Sequence, residues 1–325
     1  MVTAIADAVA EPGAGGLTPS DIALVPVTGS QLAGWQRRYP GIEDVWPLAP
    51  LQQGLLFHTR LTAGHTDKYA VQAVFELDGE VDLARLESAA TALVRRHPAL
   101  RTAFVTTADT AAQLVLAEVA VPWQVLEASP ADCAEIAARE LARPFDPETP
   151  PLLRLLCVRC GARDVRLIVT NHHLVLDGWS MPLLLGELLA LYETEGGGLG
   201  EPVSYLRYLE WLGRQDTAAA RVAWSEALAG LAGPTLITAV RPPLGHDGEP
   251  GELRREVPLT PGTVAALTRH RTERGVTMNT VVQTAWALLL AELTGHTDVV
   301  FGTTVSGRPP DLPGAERIVG MLVNT

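Results

Sequence analysis

Cysteine is scarce in this chain, with three among 325 residues. Cys133 stands apart, while Cys157 and Cys160 form a C-x-x-C inside "LLRLLCVRCGARD". No second cysteine pair accompanies it to complete a zinc site, and residues three apart on a strand point to opposite faces. These thiols therefore read as small buried hydrophobes rather than as a redox or metal motif. Basic runs are missing too. The net charge is -12 and no Lys/Arg cluster occurs, which argues against a nucleic-acid or anionic-membrane partner held by long-range attraction. The first thirty residues carry no Lys or Arg, so the charged start of a secretory signal is lacking, and no apolar run reaches the length of a membrane span. A cytoplasmic location is expected.

What is present suits a folded protein: 47% hydrophobic and 19% charged residues, in a chain longer than the usual single domain. Residues 1–40, rich in Ala, Gly, Pro and Ser, read as a linker or tail. Strand-like and helix-like segments alternate after it. "AVQAVFEL" reads as a strand, Asp82 caps a helix through "LARLESAATALVRRH", and "LRTAFVTT" and "QLVLAEV" return to strand. A helix over 130–142 precedes two paired strands, "LLRLLCVRC" and "VRLIVT", joined by a turn at Gly161–Asp164. Residues 203–230 have helical spacing, and the Pro/Gly-rich stretch that follows suggests a crossing between lobes, with a boundary near 230. Beyond it the sequence predicts a strand at "LRREVPL", a helix capped by Thr260 with Pro261 at its first position, and a second helix from Thr277 to a stop at Gly295. A strand at "DVVFGTTVSGR" follows, and "VGMLVNT" reads as the start of another.

The segment "NHHLVLDGWS", residues 171–180, joins a predicted strand to a predicted helix that Ser180 is expected to cap. Adjacent side chains on an extended segment face opposite ways, so of His172 and His173 one faces a cleft and the other packs inward. A shared metal is disfavoured for the same reason, and no further ligands stand at suitable spacing. A neutral imidazole can take a proton from an attacking amine or hydroxyl, and His173 suits that role. Asp177 is either an orienting carboxylate or, in preference, a group that serves the local fold through hydrogen bonds or an arginine pair. Gly178 offers a special dihedral or close substrate approach, and the amides of the next helix carry partial positive charge that suits a developing oxyanion.

"HHLVLDG" resembles the His-His-x-x-x-Asp-Gly active-site motif of the condensation domains of nonribosomal peptide synthetases. "PLAPLQQGLLFH" (47–58), "RHPALRTAF" (96–104) and "GTTVSGRPPDLPGAERIVGMLVNT" (302–325) resemble other motifs of that family, in the same order, over residues 41–325. The resemblance implies an α+β fold: a chloramphenicol-acetyltransferase-like two-lobed α/β sandwich, V-shaped, with a tunnel between the lobes. On that reading residues 41–230 form the N-terminal lobe, and residues 231–325 a partial C-terminal lobe that is incomplete. It implies peptide-bond formation between a donor acyl or peptidyl thioester and an acceptor aminoacyl thioester. No cofactor is expected to be bound, both phosphopantetheine arms coming from partner carrier proteins, with adjacent synthetase domains as further partners. His173 is then the group that deprotonates or positions the amine, and His172 is structural. Asp177 pairs with an arginine, Arg308 of "SGR" being the expected one, and Arg154 also matches a family position. Gly178 supports the site, and Trp179, Ser180 and Ser306 are candidates for the substrate channel. One departure is Arg207 in "YLRYLEW", where the family usually has Asp. "PLAPLQQGLLFH" leans toward a D-configured donor. Two other readings stay open: a related acyltransferase using CoA or a carrier-bound acyl donor with a free acceptor, and a catalytically silent docking fragment.

Overall fold

The computed structural model describes residues 16–61, 67–107, 111–194, 197–231, 233–237 and 256–325. The expected linker holds structure from residue 16 onward, while residues 1–15 lie outside the described part. Helix α1 (Gly29–Arg38) opens on a capping box, in which Thr28 Oγ1 accepts the Gln31 N–H at 3.3 Å and Gln31 Oε1 accepts the Thr28 N–H at 2.9 Å. Its Leu32 and Trp35, three residues apart on one helix face, bury with Ile22, Val25 and Tyr39 in a core of their own. That core sits on a three-stranded antiparallel sheet of β1 (Ile42–Pro47), β4 (Ala111–Leu116) and β3 (Thr102–Thr106), in the order β1-β4-β3. The apolar residues of this segment are few and spaced for one buried stripe, a feature that composition does not register.

Four further strands form the sheet that carries the histidines: β2 (Ala70–Asp78), β5 (Trp123–Glu127), β6 (Leu153–Arg159) and β7 (Asp164–His172), in the order β2-β7-β6-β5. The pair β6–β7 is the expected hairpin, antiparallel, with Arg159 opposite Val165 and Leu153 opposite Asn171. β2 lies antiparallel on the other side of β7, and β5, which the sequence does not single out, runs parallel to β6. Side chains alternate as a period of two demands. Val165, Leu167 and Val169 face the main core with α3 (Leu83–Arg96) and α5 (Ser180–Glu193), while Ile168 faces Ile136 and Ala137 of α4 (Cys133–Leu141). Cys157 is fully buried in the main core, and Cys160 on the opposite side meets Cys133, sulfur to sulfur at 3.0 Å. Burial pushes the Cys157 thiol up to about 12 and the Cys133 thiol up to about 11, so neither is a thiolate near neutrality.

Helix α2 (Pro50–Leu61) lies ahead of β2, and α6 (Tyr205–Gly213) and α7 (Thr217–Ala227) divide the predicted 203–230 helix at Asp216, whose Oδ1 accepts the Ala219 N–H at 2.9 Å. α8 (Pro261–Arg274) is capped by Thr260, and α9 (Met278–Thr294) starts at Thr277 and stops at a left-handed Gly295, as the sequence predicts. The late strands differ from expectation. Residues 253–255 lie outside the described part, 256–259 form no strand, and 298–308 and 319–325 form only the single bridge Val305–Asn324. A strand exists only where a neighbour takes its backbone groups, and the described residues supply no such neighbour there. Two compact units result, one of residues up to Gln215 with Thr304–Thr325, the other Asp216–Thr303. The expected boundary near 230 falls inside the second unit, and the segment carrying Arg308 packs with the first. Among the described residues no single helix is long and apolar enough to cross a membrane.

Candidate active site

β7 ends at His172, and a turn carries the chain to α5. His172 continues the strand and is 0% exposed. Its Nδ1 accepts the Leu174 N–H at 3.0 Å, its Nε2 faces Thr59 Oγ1 at 3.2 Å and Asp67 Oδ1 at 3.5 Å, and the rings of Tyr69 and Phe145 meet it edge-on. His173 has left the ladder and is only half-buried. Its N–H donates to the Tyr69 carbonyl at 2.9 Å, and its Nδ1 lies 3.0 Å from the Leu176 carbonyl. A carbonyl only accepts, so Nδ1 carries the proton, and in the neutral ring the Nε2 lone pair is left without a hydrogen bond among the described residues. The two histidines thus differ: His172 is a buried pin, whereas His173 is half-buried and its Nε2 enters no hydrogen bond among the described residues.

Asp177 is a buried junction between this turn and the segment 304–325. Its Oδ1 accepts the Ser180 N–H at 2.8 Å, the Ser180 hydroxyl at 2.7 Å and Arg308 Nη2 at 3.1 Å, and its Oδ2 accepts the Leu322 and Val323 N–H groups at 3.1 and 3.3 Å. Arg308, with its side chain 5% exposed, also donates from Nη1 to the carbonyls of Ala315 and Ile318 at 2.7 and 2.8 Å. Burial lowers the Arg308 pKa from its usual value against the opposing pull of Asp177. Gly307 beside it has φ +63°, and a Cβ there would lie 1.6 Å from the Leu322 carbonyl oxygen, so only glycine fits. Gly320 packs as tightly, a Cβ there standing 2.3 Å from the Tyr205 ring. The Tyr205 hydroxyl donates to the Met321 carbonyl at 2.8 Å and that of Tyr208 to Leu322 at 3.4 Å, while Arg207 between them is exposed.

The remaining candidates divide. Trp179 is 52% exposed, donates its indole N–H to the Glu316 carbonyl at 3.0 Å and has the Arg308 guanidinium 5.5 Å from its ring. Ser306 is exposed. Ser180, expected to cap α5 and to face a channel, does neither: it is the first residue of the helix, wholly buried and bonded to Asp177 and Gly320, and it gives its own N–H to Asp177. Gly178 is exposed, its φ lies outside the left-handed region, and a Cβ on it meets nothing within 4 Å. The special dihedral is therefore not needed. Arg154 lies on the other face of β6, paired with Glu140, bonded to the Glu140 and Arg143 carbonyls at 3.0 and 2.9 Å, and 3.8 Å over the Phe145 ring that flanks His172. Sequence reasoning missed Thr59, Asp67, Tyr69 and Glu140, since none stands in a recognisable pattern.

The Condensation domain family matches residues 42–325. A linear gramicidin synthase protein of Brevibacillus parabrevis is 37% identical over 303 residues, covering 87% of this chain and 4% of that protein. A mycosubtilin synthase protein of Bacillus subtilis is 33% identical over 329 residues, covering 95% of this chain and 12% of that protein. The chain thus spans a small part of these relatives. Among solved structures, the condensation domain of a monacolin K polyketide synthase superposes with a TM-score of 0.69 at 23% identity, covering 87% of this chain and 67% of that one. The first condensation domain of the calcium-dependent antibiotic synthetase, with a substrate analogue, gives 0.66 at 20% identity, covering 87% and 69%. The shared fold is the chloramphenicol-acetyltransferase-like one. The family match takes in all but the first forty-one residues, and the histidine turn with its arginine junction lies inside it: this chain belongs to the condensation-domain family.

Proposed function

We propose that this chain joins a donor acyl or peptidyl thioester to the amine of an acceptor aminoacyl thioester, both delivered on phosphopantetheine arms of carrier proteins within a larger synthetase. The observation that carries the reading is the His173 ring, half-buried, with Nδ1–H held by the Leu176 carbonyl and Nε2 left to act. The amine nitrogen attacks the donor carbonyl carbon while its proton passes to Nε2. As the tetrahedral adduct collapses, the C–N bond is kept and the C–S bond breaks, and the proton returns from His173 to the departing thiolate. Asp177 and Arg308 hold the turn and touch neither reactant. Membership of the condensation family and similarity to peptide-antibiotic synthases support the assignment.

The test supplies two loaded carrier proteins and follows the acceptor by mass spectrometry. A dipeptidyl acceptor carrier that disappears with His173→Ala supports the proposal. Product formed only with a free amine or alcohol would assign the chain to a related acyltransferase, and binding of both carriers without turnover would make it a docking element.

A further inference from the structure

We infer that Asp67 is a positioning residue for His173, acting through the buried His172 ring and the Tyr69 backbone; this rests on the reading of His173 as the working imidazole. His172 is wholly buried, and both of its ring nitrogens are engaged by the protein. Its Nδ1 accepts the Leu174 N–H at 3.0 Å, and that amide belongs to the residue directly after His173. A neutral ring that accepts at Nδ1 must carry its proton on Nε2. That N–H points between Thr59 Oγ1 at 3.2 Å and Asp67 Oδ1 at 3.5 Å. Only the second is a charged acceptor, and an ionised carboxylate favours the Nε2–H tautomer.

Asp67 reaches the same turn by a second route. Its Oδ1 accepts the Tyr69 N–H at 3.0 Å, and the Tyr69 carbonyl accepts the His173 N–H at 2.9 Å. Its Oδ2 accepts the Phe145 N–H at 3.4 Å, placing one of the two aromatic edges that confine His172. Burial pushes the Asp67 carboxyl up, and the His172 hydrogen bond with the Tyr69 and Phe145 amides outweighs it, leaving the pKa below the usual value. One carboxylate therefore sets the His172 tautomer and holds the backbone on both sides of His173. An asparagine in its place can turn its NH2 toward Nε2, which would move the ring proton to Nδ1 and set it against the Leu174 N–H.

The test uses the full chain with 15N-labelled histidine. Wild type should show His172 as a single Nε2–H tautomer. Asp67→Asn should mix the tautomers and shift the His173 ring resonances. In the two-carrier assay it should lower kcat by up to about 100-fold with KM little changed, the signature of a misplaced group, and Asp67→Glu should recover part of the loss. Unchanged His173 resonances and kcat in Asp67→Asn would overturn the proposal. If Asp67→Asn does not fold, Thr59→Val decides: retention of the Nε2–H tautomer assigns the anchor to Asp67, and its loss assigns it to Thr59 and overturns the inference. Unchanged turnover in His173→Ala would instead sink the functional reading, leaving the tautomer result to stand or fall by itself.

Discussion

His173 and Asp177 stand four residues apart and do unlike work. Replacing His173 with Ala removes the ring nitrogen proposed to take the amine proton, and turnover should fall by ~10²–10⁴ with the thermal midpoint nearly unmoved, as rate and melting measurements would show. Asp177→Ala should do the reverse of a clean catalytic loss. It strips a buried guanidinium of its carboxylate and leaves the Leu322 and Val323 amides without an acceptor, so denaturant titration should show a loss of about 3–5 kcal/mol. Two glycines separate in the same way. Gly307→Ala forces a Cβ onto the Leu322 carbonyl and should cost more than about 4 kcal/mol, whereas Gly178→Ala meets nothing and should stay within about 0.5 kcal/mol. A fall in turnover for Gly178→Ala at unchanged stability would show that a reactant needs the space.

The elements around the site are legible from different signals. α3 is the plainest: Asp82 Oδ1 accepts the Ala84 and Arg85 N–H groups at 3.0 and 3.1 Å, and Leu86, Ala89, Ala90, Leu93 and Val94 follow on one buried face. Asp82→Ala should cost about 1 kcal/mol, read as a lowered urea midpoint at constant m-value. The hairpin β6–β7 is legible because each strand is a short apolar run bounded by a turn. β5 is not, since its residues are mostly half-buried or exposed and what makes them a strand is the parallel partner β6, remote in sequence. α1 escaped for the converse reason: Leu32 and Trp35 are too few to dominate the composition of residues 1–40 yet enough to bury one face.

At the scale of the molecule, charge pairs and burial are unevenly spread. Glu187 on α5 takes Arg96 and His97 at 2.7 Å each. Burial pushes its carboxyl up, but these partners outweigh it and hold the pKa below the usual value. A carboxyl lowered on folding contributes stability in full above its unfolded value, about 4.3, and loses it as pH falls through the lower folded one. The melting temperature of wild type should therefore exceed that of Glu187→Gln at pH 7 and converge toward it in acid. The second unit differs in its core. Among the described residues of Asp216–Thr303 only Leu290 is buried, while Trp224, Val282, Leu288 and Leu289 are exposed. Amide exchange in α8 and α9 should be orders of magnitude faster than in β6 and β7.

Periodicity and motif order by themselves determined the mixed α+β character, the helices capped at Asp82, Thr260 and Thr277, the hairpin leading into the histidines, and the opposite facing of His172 and His173. Each of these follows from local physics, namely the repeat of a helix or strand and the hydrogen bonds of a cap. Only the tertiary structure decided that Ser180 turns inward, that Gly178 needs no special dihedral, that Arg308 packs with the first unit, and that Asp67, Thr59 and Tyr69 surround the histidines. Those outcomes depend on which distant groups meet. A buried carboxylate or carbonyl takes whichever donor the folded chain brings to it, and no spacing along the sequence records that choice.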